Sequence, residues 1–317
     1  MENNKVQITV IVATYNPEFE KLRKTIVSIL NQRRVELQII VTDDGSKESY
    51  FDELKRIFKN SNFTNFKLLT SDSNKGTCKN IEKSLQYIQF EYIKLISPGD
   101  YLFNENVLYD WYYFMLQNNL SVSFGRAIYY VMNEGNPRIV IKKANPRNRY
   151  LYGSKKYKTM TKIAYLVLRD YALGAAFLLK KEIFIEYFNL IVDKVKYLED
   201  GIFRIMMIDN IPLIEYPHTV IWYEYGTGVS TSKKTKWEKA MYKDSIEIIK
   251  IIEERNASWD SFSRRYVKYY RKKYAGKLHQ EIIRSILFPQ YIIIKIRDMI
   301  NAEKTVITSD FTYIKNL

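Results

Sequence analysis

Three groups of acidic residues stand where carboxylates could do chemistry, each in a turn or at the start of a helix. The groups are Asp43 with Asp44, Asp100 alone, and Glu199 with Asp200. A carboxylate can accept a hydrogen bond from a base edge, bind a divalent cation or take the proton of a hydroxyl. Each group also has a purely structural interpretation as an Asp–Gly turn, a type II turn or a complement to the helix dipole. The surrounding elements decide between the two.

Two apolar strands and one helix position the first acids. The β-branched run Ile8–Val12 ends at Ala13-Thr14-Tyr15-Asn16-Pro17, where proline stops strand pairing. Apolar residues at helical spacing predict a helix over Glu18–Asn31, and a second apolar run, Leu37–Val41, leads into the Asp pair. Two buried strands joined by an amphipathic helix form a βαβ unit with a parallel sheet, whose carboxyl edge is where ligands bind.

The same pattern continues to residue 120. Strands are predicted over Phe66–Leu69, which leads into Asn74-Lys75-Gly76, and over Tyr92–Ile96, which leads into Ser97-Pro98-Gly99-Asp100. The helices of this part are Ser49–Asn60, Thr77–Ile88 and Glu105–Asn118. Four strands that deliver polar loops to one sheet edge indicate a nucleotide-binding half-domain.

The pattern changes after residue 120. Strands are predicted over Ser121–Val131, Arg138–Lys143, Leu173–Leu179, Pro212–Tyr216 and Thr219–Tyr225. The basic, tyrosine-rich stretch Lys142–Lys162 is predicted to be a long loop that orders over a ligand. Gly174-Ala175-Ala176 has side chains small enough for close approach of a ligand, and the glycine loop Gly226–Ser232 has amides that could meet a pyrophosphate.

Six short motifs, taken in order, resemble those of the family 2 glycosyltransferases. V-I-V-A-T-Y-N is followed by S-I-L-N-Q at Ser28–Gln32 and by I-I-V-T-D-D-G-S at Ile39–Ser46, and the remaining motifs are N-K-G, S-P-G-D and E-D. The resemblance covers roughly the first three quarters of the chain. It implies an α/β GT-A fold with a Rossmann-like, mostly parallel sheet and a helical C-terminal appendage. The implied domains are 1–235, divided into a nucleotide-binding half (1–120) and an acceptor half (121–235), and 236–317.

The resemblance implies a UDP-sugar donor in the first half. The family acid that matches Asp44 holds the uracil, Tyr15 could stack on that base, and Ala13 and Thr14 offer backbone contacts. The full set of expected donor-binding residues is Ala13, Thr14, Tyr15, Asn16, Asp43, Asp44, Asn74, Gly76, Ser97, Gly99 and Asp100.

The resemblance also assigns the metal and the base. Asp100 is the expected ligand of a divalent cation, Mn²⁺ or Mg²⁺, that stabilises the diphosphate leaving group. The family has acids at the first, third and fourth places of this turn, where this chain has Ser97, Gly99 and Asp100, so we expect weak metal binding. Asp200 is the expected general base of an inverting transfer. Residues expected near the acceptor or in a lid are Glu199, Gly174 and Ser230.

Composition limits the class of protein. The 317 residues are 46% hydrophobic and 15% aromatic, which supports a real core and excludes wholesale disorder. The single cysteine, Cys78, fits a reducing cytosol, and no signal peptide or membrane-spanning run is predicted. A net charge of +15 indicates an anionic partner.

The C-terminal part is predicted to be helical. Its helices are Lys239–Glu254, Trp259–Lys277, Leu278–Leu287 and Tyr291–Met299. Seven basic residues between Arg264 and Lys277 are interleaved with tyrosines and contain no acid between them. This composition fits contact of residues 264–297 with the inner face of a membrane, and equally a solvated face with a core or homo-oligomer contact. Single-stranded nucleic acid is a third and less favoured partner.

The resemblance, together with the composition, implies a cytoplasmic enzyme that moves a sugar with inversion from a UDP-sugar to a hydroxyl of a glycan or lipid-linked glycan. Bacterial surface polysaccharide would be such an acceptor. Attachment to the membrane surface stays one of two equal alternatives for its C-terminal helices. A nucleotidyltransferase is disfavoured because the loop after the first strand, Thr14-Tyr15-Asn16-Pro17, has no glycine. A catalytically silent nucleotide-sugar-binding or scaffold protein remains the alternative, supported by the reduced acidic turn.

Overall fold

The computed structural model of the chain describes residues 5–133, 136–140, 145–153, 156, 158–226, 235–255, 261–271, 277–301, 308 and 310–317. Its strands are β1 (Val6–Thr14), β2 (Val35–Asp43), β3 (Phe66–Leu69), β4 (Tyr92–Ile96), β5 (Tyr101–Leu102), β6 (Val122–Asn133), β7 (Asn136–Ile139), β8 (Phe177–Lys180) and β9 (Ile214–Glu224). Within the described ranges these strands form one mixed sheet in the order β3-β2-β1-β4-β8-β6-β9-β5, with β7 paired to β6.

Helices cover both faces of the sheet. They are α1 (Phe19–Leu30), α2 (Phe51–Asn60), α3 (Thr77–Leu85), α4 (Val107–Gln117), α5 (Lys158–Lys162), α6 (Lys181–Ile191), α7 (Ile202–Ile208), α8 (Thr235–Glu254), α9 (Ser261–Arg271), α10 (Lys277–Leu287), α11 (Gln290–Asn301) and α12 (Thr312–Lys315). Residues of β1 alternate between two cores: Ile11 packs on the α3 side with Ile81, and Val10 packs on the other side with Trp111.

The first half of the sheet is parallel. β1 pairs with β2 and with β4, and β2 pairs with β3, all in parallel register. Because these strands run in the same direction, the carboxyl ends of β1, β2 and β4 and their polar loops meet at one edge of the sheet. The predicted α/β class with a helical C-terminal region is confirmed.

Several predictions for the second half are wrong in detail. Gly174–Ala176 is a 3₁₀ turn, and the strand begins only at Phe177. Pro212–Tyr216 and Thr219–Tyr225 belong to a single strand, β9, which pairs in parallel with β6 and carries a register irregularity near Arg126. Such a bulge makes one long strand look like two in a sequence.

The stretch predicted as a loop over Lys142–Lys162 also contains regular structure. It includes a 3₁₀ turn at Arg149–Leu151 and the helix α5, which continues into a π-helical turn at Ile163–Val167. The turn's residues are buried in the core beside α11, and such tertiary packing can order residues that lack a clear apolar period. Residues 141–144, 154, 155 and 157 lie outside the described part.

The C-terminal helices pack on the second half of the sheet. Ile248 and Ile252 of α8, Tyr266 of α9 and Ile294 of α11 share one apolar cluster with Phe177 of β8. Among the described helices, none has both the length and the apolar character needed to cross a bilayer. The domain boundary at residue 235 stays a prediction.

Candidate active site

Asp44 organises the loop that follows β3. Its buried carboxylate accepts hydrogen bonds from the backbone amides of Lys75 at 2.9 Å and Gly76 at 2.8 Å. Its own amide donates to the Thr14 carbonyl at 3.0 Å. The side chain therefore ties the Asn74–Gly76 segment to the carboxyl ends of β1 and β2, with both of its oxygens already engaged.

Asp43 and Asn16 hold the two neighbouring loops together. The Asp43 carboxylate accepts from the Thr14 hydroxyl at 2.9 Å and from the Ser46 amide at 2.8 Å, and the Ser46 hydroxyl also donates to it. The Asn16 backbone amide donates to the Ser46 hydroxyl at 2.6 Å, and the Asn16 side-chain oxygen accepts from the Lys47 backbone amide at 3.0 Å. Asp43 and Asn16 therefore fix the conformation of the loops that follow β1 and β2.

Gly76, in the loop that Asp44 holds, occupies a position that requires glycine. Gly76 has φ of +98°, and a Cβ placed on it would lie 2.7 Å from the Lys196 carbonyl oxygen. Below it, the buried Asn80 donates to the carbonyls of Thr42 at 2.9 Å and Thr14 at 3.2 Å. Asn80 was missed in the sequence because a polar residue inside a helix pattern usually faces water.

A cavity of about 520 Å³ lies at this sheet edge, between the two halves of the fold. Six residues singled out in the sequence line it: Ala13, Ser97, Asp100, Gly174, Glu199 and Asp200. Eight others do not line it: Thr14, Tyr15, Asn16, Asp43, Asp44, Asn74, Gly76 and Gly99. Tyr15 is 52% exposed, and Ser230 lies outside the described residues. Thr77, next to Gly76, belongs to the lining, so the loop held by Asp44 borders the cavity.

Asp100 is buried at the end of its turn, where its amide donates to the Ser97 carbonyl at 3.0 Å. Burial raises the pKa of Asp100 to about 8, against the opposing effect of the Lys94 ammonium. The Glu224 amide donates to an Asp100 oxygen at 3.4 Å, and the Glu224 side chain lines the same cavity. Glu224 was missed in the sequence, although an acid at the end of the apolar strand β9 is the same signal that identified Asp44.

Lys94 is a fully buried lysine in the centre of the sheet. Its ammonium donates to the carbonyl of Leu95 at 2.9 Å and to that of Ala175, which links β4 to the Gly174–Ala176 turn. Burial lowers the pKa of Lys94 to about 7, against the opposing effect of Asp100. A lysine inside a strand pattern gives no signal of burial, so the sequence alone does not identify it.

Glu199 and Asp200 lie in a 3₁₀ turn that leads into α7. The segment before them is held by Asp244 of α8, whose carboxylate accepts from the amides of Tyr197 at 2.6 Å and Leu198 at 3.1 Å. Burial, together with the charge of Asp200, raises the pKa of Glu199 to about 8. Burial also raises the pKa of Asp200, and the Arg204 guanidinium opposes that rise.

Comparison with known proteins identifies the family. Residues 9–188, more than half of the chain, match the model of Glycosyl transferase family 2. The chain belongs to this family. A curated relative, an uncharacterized glycosyltransferase of Haemophilus influenzae, is 30% identical over 122 residues, which cover 38% of this chain and 47% of the relative. The matched segment thus spans about half the length of that relative.

The family 2 chain also shares its fold with solved structures. S. aureus TarS 1-349 in complex with UDP has a TM-score of 0.56 at 16% identity, covering 90% of this chain and 73% of that one. The mannosyltransferase PcManGT from Pyrobaculum calidifontis, in complex with GDP-Man and Mn2+, has a TM-score of 0.52 at 12% identity, covering 94% and 76%. At these identities the similarity shows the fold, which is GT-A.

Two carboxylates in the cavity are of the ligand type suited to a divalent cation. Asp100 and Glu224 line it with carboxylates, the ligand type that Mg²⁺ and Mn²⁺ prefer, and one Glu224 oxygen is already paired with the Lys21 ammonium at 3.0 Å. In the described part of the chain, no group of three or more His, Cys, Asp or Glu side chains could hold a metal ion. Because Mg²⁺ commonly uses one or two carboxylates together with substrate phosphates, this pair fits a cation that arrives with a diphosphate.

Proposed function

We propose that this family 2 chain transfers a sugar, with inversion, from a UDP-sugar to a hydroxyl of a glycan. The supporting observation is that Asp100, from the nucleotide-binding half, and Asp200, from the acceptor half, line one cavity of about 520 Å³. A volume of this size suits a small-molecule ligand. The two carboxylates differ in position along the chain by a hundred residues, yet the fold brings them to the same opening.

The donor is held by the loops at the carboxyl ends of β1, β2 and β4. Ala13 and Ser97 line the cavity, and the loop held by Asp44 borders it, which supports a nucleotide site on this side. Thr14, Asn16, Asp43, Asn74 and Gly76 act through the shape of these loops, and Tyr15 is free to stack on the base. UDP is preferred to GDP because TarS structures carry UDP and UDP-GlcNAc, although PcManGT carries GDP-Man.

A Mn²⁺ or Mg²⁺ ion would be held by Asp100 and Glu224. Its contribution is to stabilise the charge that grows on the leaving diphosphate. Gly99 has φ of +96°, and a Cβ at this position would lie 2.5 Å from a Glu224 carboxylate oxygen. Glycine at this place therefore leaves room for the Glu224 carboxylate beside the turn that ends at Asp100.

Asp200 acts as the general base. The acceptor oxygen forms a bond to the anomeric carbon while its proton passes to the Asp200 carboxylate, and the sugar–phosphate bond breaks with its electron pair leaving on UDP. Glu199 beside it has a pKa raised to about 8 and shares the lining of the cavity, so it suits a contact with the acceptor. Gly174 completes the acceptor side in this proposal, and the role expected for Ser230 stays a prediction because that residue lies outside the described part of the chain.

The acceptor is proposed to be a growing surface glycan of a bacterium, carried on a lipid at the inner face of the membrane. The net charge of +15 favours an anionic environment of this kind. A catalytically silent nucleotide-sugar-binding protein is the second candidate. It is favoured by one observation, the turn at 97–100, which offers a single acid.

The test is transfer and donor hydrolysis with a panel of UDP- and GDP-sugars. Asp200→Asn should lower the transfer rate by about 10²–10⁴-fold while UDP affinity, measured by calorimetry, stays unchanged. Asp193→Asn, at an exposed carboxylate that pairs with Lys79, is the matched control. Full transfer by Asp200→Asn would remove its role as base, and binding of UDP without any transfer by the wild type would favour the silent protein.

A further inference from the structure

Helices α10 and α11 carry most of the exposed apolar surface of the described chain. Seven of its eleven exposed large hydrophobic side chains lie there. They are Ile282, Ile286, Ile292, Ile293, Ile296, Met299 and Ile300, which we call the aliphatic face. Scattered exposed hydrophobic residues are ordinary, but a set this concentrated marks an interaction surface.

Helix α11 is apolar on both sides. Tyr291, Ile294 and Asp298 recur at helical spacing and face the protein. The opposite side presents Ile292 and Ile296 with Met299, which is 75% exposed. A helix of a soluble protein normally turns its apolar stripe inward and a polar stripe outward, so the outer stripe of α11 is unpartnered within the described structure.

Polar contacts on the inner side fix the orientation of α11. Asp298 is buried and pairs with Arg147 at 2.9 Å, and Arg147 also reaches Asp170 at 3.4 Å. The Arg297 guanidinium lies over the Tyr150 ring at 3.6 Å. Rolling the aliphatic face inward would break this ion pair and leave a charge buried without its partner, which is costly. The face therefore stays outward.

The charge around the aliphatic face selects the partner. Residues 261–271 and 277–301 contain eight Lys or Arg and only two acids, Glu281 and Asp298. On α9 the exposed residues Arg264 and Lys268 add positive charge, whereas the neighbouring Arg271 is paired with Glu253 of α8. A second copy related by a two-fold axis would bring this positive region against itself. In an anionic bilayer, the acyl-chain region can bury the isoleucines, and the negatively charged headgroups attract the basic residues.

We propose that α10 and α11 lie in the interface of an anionic bilayer, with the aliphatic face inserted among the lipids. This deepens the proposed location at the membrane and rests on the proposed function only for its acceptor. The ion pairs of Arg147 with Asp298 and with Asp170 connect α11 to the cavity. Tyr171, the residue after Asp170, and Asn145, two residues before Arg147, both line that cavity. Docking of α11 would thus hold the acceptor side of the cavity close to lipid-linked substrates.

The experiment sediments the full chain with vesicles of phosphatidylcholine, with or without phosphatidylglycerol. Anionic vesicles should bind the wild type, and the double variant Ile292→Ser/Ile296→Ser should lower the partition coefficient by about tenfold or more. Leu116→Ser/Met132→Ser, which changes two equally exposed apolar residues elsewhere, should leave it unchanged. Arg264→Gln/Lys268→Gln should weaken binding to anionic vesicles by about fivefold for each charge removed, and added salt should act in the same direction.

Two results would overturn the proposal. One is sedimentation of the Ile292→Ser/Ile296→Ser variant equal to that of the wild type. The other is a wild type that does not bind anionic vesicles and is a dimer as measured by light scattering, while the Ile292→Ser/Ile296→Ser variant is a monomer. Calorimetry with UDP on each variant separates this question from catalysis, because loss of vesicle binding with intact UDP binding concerns the surface alone.

Discussion

Gly174 lies directly beside the Asp200 side chain. A Cβ placed on Gly174 would lie 3.3 Å from the Asp200 Cβ and 3.5 Å from its Oδ2. The 3₁₀ turn that contains Gly174 is tied to β4 through the hydrogen bond from the Lys94 ammonium to the Ala175 carbonyl. The proposed base therefore lies directly beside a main-chain segment that is anchored in the sheet.

Gly174→Ala should displace the Asp200 carboxylate by a few tenths of an ångström. Because catalysis depends steeply on the position of the reacting groups, we expect kcat to fall by about tenfold, with little change in KM for the donor. Gly153→Ala is the matched control, since the nearest atom to an added Cβ there is the Tyr150 carbonyl oxygen at 4.0 Å. Equal kcat values for the two variants would show that the contact between Gly174 and Asp200 has no role in positioning the Asp200 carboxylate.

Arg204 should set the pH dependence of transfer. Burial raises the pKa of Asp200, and the positive charge of Arg204 limits that rise. A base must be ionised to act, so the rate increases as pH passes its pKa. Arg204→Met should move the acidic limb of the kcat/KM profile to higher pH, because the charge that limits the rise is removed. Arg204→Lys keeps the charge and should restore most of the original profile, and a profile unmoved by Arg204→Met would exclude this role.

The parallel half of the fold could be predicted because its signals are local. Each of β1, β2 and β4 is an apolar run that ends in a turn residue, and Asp44 and Asp100 follow such runs directly. Parallel strands place their carboxyl ends at one edge, so the meeting of these loops follows from the pattern alone.

The rest of the site depends on contacts that no local pattern contains. Glu224 reaches Asp100 across 124 positions of sequence, because β9 pairs with β5 directly after the Asp100 turn. Asp244 supports the segment before Glu199 from a helix outside the matched family region. Lys94 could not be predicted to be buried, because a lysine in a strand usually marks an exposed position.

Asp44→Asn should weaken both the fold and donor binding. The carboxylate accepts two backbone amides, and an asparagine can offer an oxygen to only one of them. A buried amide left without a partner costs about 1–3 kcal/mol, which thermal or denaturant unfolding can measure. We expect UDP affinity to fall as well, since the loop that borders the cavity loses its anchor. Asp72→Asn, at an exposed acid of the same loop, should change neither quantity.

Binding of the cation should depend on the protonation of Asp100. Its pKa is raised to about 8, so at neutral pH the carboxyl keeps its proton, which a cation must displace. In calorimetry with UDP, the Kd for Mn²⁺ should therefore fall by about tenfold per pH unit from pH 6 to pH 8 and level off above that.

The same raised pKa has a consequence for stability without the cation. The folded state holds the Asp100 proton more tightly than the unfolded state, so this contribution to the free energy of unfolding is present at acidic pH and is lost as pH rises through about 8. Compared with the wild type, Asp100→Asn should therefore gain stability at pH 8 relative to pH 5, and it should lose the pH dependence of Mn²⁺ binding. Parallel stability curves for wild type and variant over this range would show that Asp100 titrates at its ordinary pKa, and the dependence of cation binding on pH would then need another group.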